Sequence, residues 1–160
     1  MHCKVTFDIM VKSDFFIDTN FPLVYNVSIN KNQITHHKSF WRAVCCVTFT
    51  GETTLNIIIY GSHYGTARLY AEELARKINY DLKSFEEIND IDSYENIIYI
   101  GALYAGGVLG MKKTFKKLRN TNNKKIIIAT VGLSDTTDKG NTTAIRNGIK
   151  KQLSAEIYNN

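Results

Sequence analysis

The sequence predicts an α/β fold, a doubly wound parallel sheet covered on both faces. Three observations carry that expectation. Residues 55–60 (LNIIIY), 97–100 (IIYI) and 125–130 (KIIIAT) are short runs dominated by apolar, largely β-branched side chains. Segments with apolar residues at helical spacing alternate with them. Each run ends in a loop rich in glycine or hydroxyl residues. Strands buried on both faces read as continuous apolar runs, and the intervening helices supply the covering layers. Right-handed crossovers between parallel strands then place helices on both sides.

Residues 1–53 do not follow this pattern. They hold β-prone pieces at 5–11, 23–29 and 43–50, separated by polar sequence that includes Pro22. No capped helix is visible there, so 1–53 is expected to be an extension and 54–160 the domain proper. The first buried strand, 55–60, is closed by Gly61. A helix is expected over 66–80, where Ala67, Tyr70, Ala71, Leu74, Ala75 and Ile78 form an apolar stripe. Glu72 with Arg76, and Glu73 with Lys77, are spaced to pair on its outer face. Residues 81–88 are less apolar and read as an edge strand. The second buried strand, 97–100, ends at Gly101. A basic helix is expected over 111–118, with Lys112, Lys113, Lys116, Lys117 and Arg119 on its solvated face. The third strand, 125–130, leads to Gly132. The last helix, 142–157, carries Ile145, Ile149, Leu153 and Ile157 as its stripe, with Asn141 or Thr142 as its cap.

Composition narrows the function classes. A chain of 160 residues, 44% hydrophobic and 22% charged, suits one domain with a real core. It excludes collagen-like, low-complexity and wholly disordered chains. Three cysteines (Cys3, Cys45, Cys46) are too few for a disulfide scaffold or a four-cysteine zinc site. His36 and His37 have no carboxylate or thiol at ligand spacing, so no metal is expected. The net charge of +5 comes mainly from the basic helix and does not indicate nucleic acid. Asp8, Asp14 and Asp18 interrupt any secretory leader. The uncharged run 96–111 has 16 residues, short of the ~20 a spanning helix needs. A cytoplasmic protein without a transmembrane segment is expected, with peripheral membrane contact left open.

Ligands of doubly wound folds bind beyond the carboxyl ends of the strands. The loop Gly61-Ser62-His63-Tyr64-Gly65-Thr66-Ala67 joins a buried strand to a helix N-terminus. Unsatisfied backbone N–H groups and the helix dipole favour an anion there. Ser62 and Thr66 add hydroxyl groups, and Gly65 permits close backbone approach. The loop is neither GxxxxGK[ST] nor GxGxxG, and it has no lysine for a polyphosphate. A single phosphate monoester fits best.

The block IIIYGSHYGTARLYAEELA resembles the opening of flavodoxin-like proteins, in which a strand enters a [ST]-x-[ST]-G-x-[ST] loop. Ser62 and Gly65 match; Tyr64 and Ala67 stand where that family usually carries hydroxyl residues. The block IIYIGALYAGGVLGMKKTFKKL resembles the strand, flavin loop and helix of the flavodoxin-domain group that includes menaquinone-dependent protoporphyrinogen IX dehydrogenase. KKIIIATVGLSDTTD is similar to the strand and second flavin loop. The resemblance spans residues 55–157. It implies strand order 2-1-3-4 and non-covalent FMN. The phosphate would lie on Ser62, His63, Tyr64, Gly65, Thr66 and Ala67. The flavin ring would lie between Ala102, Leu103, Tyr104, Ala105, Gly106 and Gly107 on one side, and Val131, Gly132, Leu133, Ser134 and Asp135 on the other. Tyr104 offers an aromatic face for the ring.

Flavodoxin-like domains have a fifth strand, and the sequence ends three residues after Ile157. The fifth strand is therefore expected to be absent, leaving the strand at 125–130 as an exposed apolar edge. The N-terminal segment, a partner, or nothing would cover it. The functional expectation is an FMN-binding oxidoreductase or electron-transfer domain. Its counterpart is a redox partner protein, or a quinone or other small-molecule acceptor. No catalytic side chain is required of the protein. Protoporphyrinogen oxidation with a quinone acceptor is the substrate-level alternative. A flavin-free binding module or non-functional fragment is the alternative of another class, supported by Tyr64, Ala67 and the missing strand.

Overall fold

β-branched side chains favour a pleated surface packed on both sides, so the isoleucine runs dictate the centre of the fold. The computed structural model describes residues 4–8, 26–27, 55–104, 107–133 and 138–159. The strands are β1 (Lys4–Asp8), β2 (Asn26–Val27), β3 (Asn56–Gly61), β4 (Asp81–Ser84), β5 (Asn96–Tyr104), β6 (Gly107–Val108) and β7 (Lys125–Gly132). The helices are α1 (Thr66–Ile78), α2 (Met111–Phe115), α3 (Lys139–Gln152) and α4 (Ala155–Asn159).

β4, β3, β5 and β7 lie side by side and parallel, in the order expected. Successive residues point to opposite faces. Ile58, Ile98, Ile100, Ile127, Ala129 and Val131 therefore join the α1 stripe of Ala67, Tyr70, Ala71, Leu74 and Ile78 in one core. Ile57, Ile59, Ile97, Tyr99, Ile126 and Ile128 face the other way. They pack with Val108, Met111, Phe115, Ile145, Ile149, Leu153 and Ile157. Ile57, Ile58 and Ile59 are all completely buried, each stabilising the fold by about 1.5–3 kcal/mol relative to exposure. A slip of one residue would exchange the two cores, so the register is strongly specified.

The open edge expected on β7 is filled. β1 pairs antiparallel with β7 from Lys4↔Gly132 to Asp8↔Ile128, and β2 pairs antiparallel with β1. The sheet runs β2-β1-β7-β5-β3-β4, so the expectation that a further strand is absent is corrected. An antiparallel neighbour needs no crossover helix and commonly closes an otherwise parallel sheet. Residues 9–11, 23–25, 28–29 and 43–50 of the β-prone pieces, and Cys3, Cys45, Cys46, His36 and His37, lie outside the described residues.

Other boundaries move for local reasons. β4 is the edge strand, but it stops at Ser84. There the Ser84 N–H donates to Glu87 Oε2 (3.1 Å) and the Glu86 N–H to Ser84 Oγ (3.3 Å), closing a turn. β5 runs on to Tyr104, four residues further than expected. The basic helix is only five residues long. After it, Lys117 N–H and Leu118 N–H bond three residues back, to Thr114 and Phe115, so the helix tightens and ends. The Lys117 ammonium turns inward and donates to the Ile88 carbonyl. The buried Lys124 donates to the carbonyls of Asp92 (2.6 Å) and Tyr94 (2.7 Å), a pair of contacts not legible in the sequence. Asp92 accepts from Arg119 N–H (2.9 Å) and Asn120 N–H (3.2 Å). Partial burial opposes its charge, yet these N–H groups hold its carboxyl below the usual range.

The last helix begins at Lys139 because Asp138, not Asn141 or Thr142, is its cap, accepting from Gly140 N–H at 2.7 Å. It is also broken. Leu153 is extended, and Ser154 Oγ accepts from Ile157 N–H (3.3 Å) to start α4. The break still leaves Leu153 and Ile157 in one core. On α1, Glu73 pairs with Lys77 (3.3 Å) as expected, whereas Glu72 pairs with Arg68 (2.7 Å) and Arg76 with Glu73 (2.9 Å).

Candidate functional site

The carboxyl ends of β3, β5 and β7 come out together, with Gly61 opposite Gly101 and Ala102 opposite Val131. Chain at 107–109 folds back across these ends. It can do so because glycine ends β3 and sits within β5: a Cβ at Gly61 would run into the Leu109 carbonyl oxygen, and one at Gly101 into the Val108 side chain. The Tyr99 hydroxyl donates to the same Leu109 carbonyl and ties the returning chain down. Desolvation is the main cause of that phenol's raised pKa.

Beyond Gly61 the loop turns into α1. Gly65 holds the cap position at φ 83° and offers no side-chain cap. Leu69 N–H closes the first turn on the Gly65 carbonyl (3.0 Å). The first turn carries no acidic residue, so its positive end is not neutralised locally. Ser62 Oγ is shut off from solvent and has no hydrogen-bond partner among the described residues. Thr66 is half-buried, while His63 and Tyr64 are exposed, Tyr64 to 84%. Ala67 is wholly buried in the α1 core. Its side chain therefore serves packing, and only its backbone remains for the loop.

The second expected loop is instead a hairpin. Ala102, Leu103 and Tyr104 are the last residues of β5, and Gly107 opens β6. The register pairs Leu103 with Val108 and Tyr104 with Gly107. Ala105 and Gly106 lie outside the described residues. The Tyr104 ring is 42% exposed and meets the His63 ring edge-on at 6.4 Å; His63 meets Tyr64 edge-on at 4.8 Å. The Tyr104 phenol is raised above its ordinary pKa by desolvation first and then by the Tyr64 hydroxyl. In the third segment Val131 is buried in the α1 core, Gly132 ends β7 and Leu133 is exposed. The Val131 side chain thus serves the core, and only its backbone faces the strand ends. Ser134 and Asp135 lie outside the described residues.

Five large apolar side chains are exposed among the described residues, and four belong to this region: Tyr64, Leu69, Tyr104 and Leu133. The fifth, Leu55, precedes β3 at the opposite end. Sequence reasoning missed Gln152. It accepts from Val108 N–H (2.7 Å) and donates to the Val108 carbonyl (3.2 Å) across 44 positions. A glutamine at the end of an amphipathic helix carries no local sign of such a reach.

A family model described as a flavodoxin domain matches residues 57–159. The chain belongs to the flavodoxin-domain family. A comparison with curated proteins finds no match. Membership of a flavodoxin domain implies a flavin cofactor, and the residues present fit one. The isolated Ser62 hydroxyl and the uncapped N-terminus of α1 suit a phosphate. The aromatic and apolar rim beside them suits a flat ring. Among the described residues no helix is long and apolar enough to cross a membrane.

Proposed function

We propose that this flavodoxin domain binds FMN non-covalently and acts as an oxidoreductase or electron-transfer domain. The observation that carries the reading is Ser62 Oγ, closed off from solvent with no partner among the described residues, beside the uncapped N-terminus of α1. A buried hydroxyl left unsatisfied costs about 1–3 kcal/mol, so a site that retains one is arranged for something that completes it. Ser62 and Thr66 donate to the phosphate together with the N–H groups of the first turn. Tyr104 and Leu133 flank the ring and keep water from its faces. Bound flavin supplies reversible one- and two-electron transfer. The apolar rim favours a quinone among the acceptors, and protoporphyrinogen oxidation with a quinone is the substrate-level form of this reading.

Titration of the apo-protein with FMN and with riboflavin, followed by flavin fluorescence, tests it. FMN should bind roughly a hundredfold more tightly than riboflavin, since riboflavin lacks the group that takes charge-assisted hydrogen bonds. Equal affinities would remove the phosphate cradle from the reading. Binding of neither would leave a flavin-free binding module.

A further inference from the structure

Resting on the FMN reading, we infer that Gln152 is a positioning residue that sets the flavin's environment by holding the β5–β6 hairpin. In an antiparallel pair, successive residues alternately face the partner strand and turn away from it. Leu109 N–H bonds the Ala102 carbonyl (2.9 Å), so the neighbouring pair Leu103↔Val108 is the one whose backbone groups point outward. Val108 is 2% exposed, and its N–H and carbonyl would be left buried without partners. Gln152 satisfies both with one side-chain amide, taking the place of a further strand.

The geometry is specific to this pair. Gly107 adopts φ 121°, and a Cβ there would lie 2.5 Å from Gln152 Oε1. The clamp therefore needs glycine at 107 as well as glutamine at 152. β6 in turn carries Tyr104 through the Tyr104↔Gly107 pair. Tyr104 is the exposed ring assigned to the flavin, so the amide of a distant helix decides where that ring stands. The break at Leu153 ends α3 directly after Gln152.

Gln152→Ala tests this in two states. In the apo-protein, hydrogen exchange at the Val108 amide should speed up, while amides within β3 and β7 keep their protection. In the FMN-loaded protein, saturated with flavin, the visible circular dichroism of the flavin should weaken. Both midpoint potentials should move toward those of free FMN. The FMN Kd should rise by roughly tenfold, because binding would then have to order a hairpin that Gln152 holds in place beforehand. Gln152→Glu, which keeps the acceptor for Val108 N–H and loses the donor, should fall between wild type and Gln152→Ala. Gly107→Ala should reproduce the flavin changes by displacing the amide, which provides a second route if Gln152→Ala folds poorly. Unchanged dichroism and potentials in a wild-type background that binds FMN would overturn this inference alone. A wild-type protein that binds no FMN would overturn the FMN reading and this inference together, whatever the exchange data show.

Discussion

Ser62 holds a hydroxyl that neither solvent nor a described protein group satisfies. That isolation separates its effect on folding from its effect on binding. Ser62→Ala removes a buried polar atom that makes no bond to the described residues of the apo-protein. The apo-protein should then be as stable as wild type or more so, by up to about 1 kcal/mol. FMN affinity should fall by roughly ten- to a hundredfold, because the lost bond is to a charged phosphate. Urea denaturation of the apo-protein and FMN titration read the two effects separately; a variant that loses stability and keeps affinity would contradict the assignment. At this scale the loop was legible because Ser62 and Gly65 sit between an apolar strand and a helical stripe. Ala67 was legible in two ways, as a loop residue and as a member of the stripe, and burial decides for the stripe. The strand pattern likewise continues through Val131, whose side chain is in the core.

The elements differ in how much of their extent is written locally. α1 is set by its stripe, and it stops at Asn79, whose left-handed backbone (φ 55°) takes a bond to the Ala75 carbonyl. The boundary of α3 depended on which of several capping residues is used. Asp138 accepts from Gly140 N–H and so satisfies a free donor, while Thr142 lies buried inside the first turns. Asp138→Ala should therefore cost about 1 kcal/mol, as measured by denaturant midpoints. An unchanged midpoint would mean that Asp138 is not what caps α3. The β5–β6 hairpin was not legible. Gly101 looked like the end of a strand because glycine usually interrupts one. Here it marks instead the place where the returning chain crosses, with the Val108 side chain in the space a Cβ would fill. That crossing depends on Val108 and Leu109, and through them on Gln152, contacts that no local pattern encodes.

For the whole molecule, the decisive event is the arrival of β1 beside β7. The interior of β7 is apolar along its length, and such a strand at an open edge invites pairing with another chain. β1 occupies that edge with five register pairs. Thr6→Pro, in the middle of β1, should remove ladder bonding and reopen the edge. The variant should show concentration-dependent association beyond that of wild type in sedimentation velocity. An unchanged sedimentation profile would mean that β1 is not what protects β7. The order β4-β3-β5-β7 was implied by the resemblance to flavodoxin-like proteins; the parallel strands, the two-faced core and the cluster of strand ends followed from the sequence pattern itself. Each rests on side-chain period and strand burial, which are properties of short stretches of chain. The covering of β7 by an antiparallel strand from far upstream, the hairpin over the strand ends and its glutamine clamp were decided only in the tertiary structure. These depend on which unpaired backbone groups meet across long separations, and hydrogen-bond satisfaction of that kind leaves no periodic trace in a sequence.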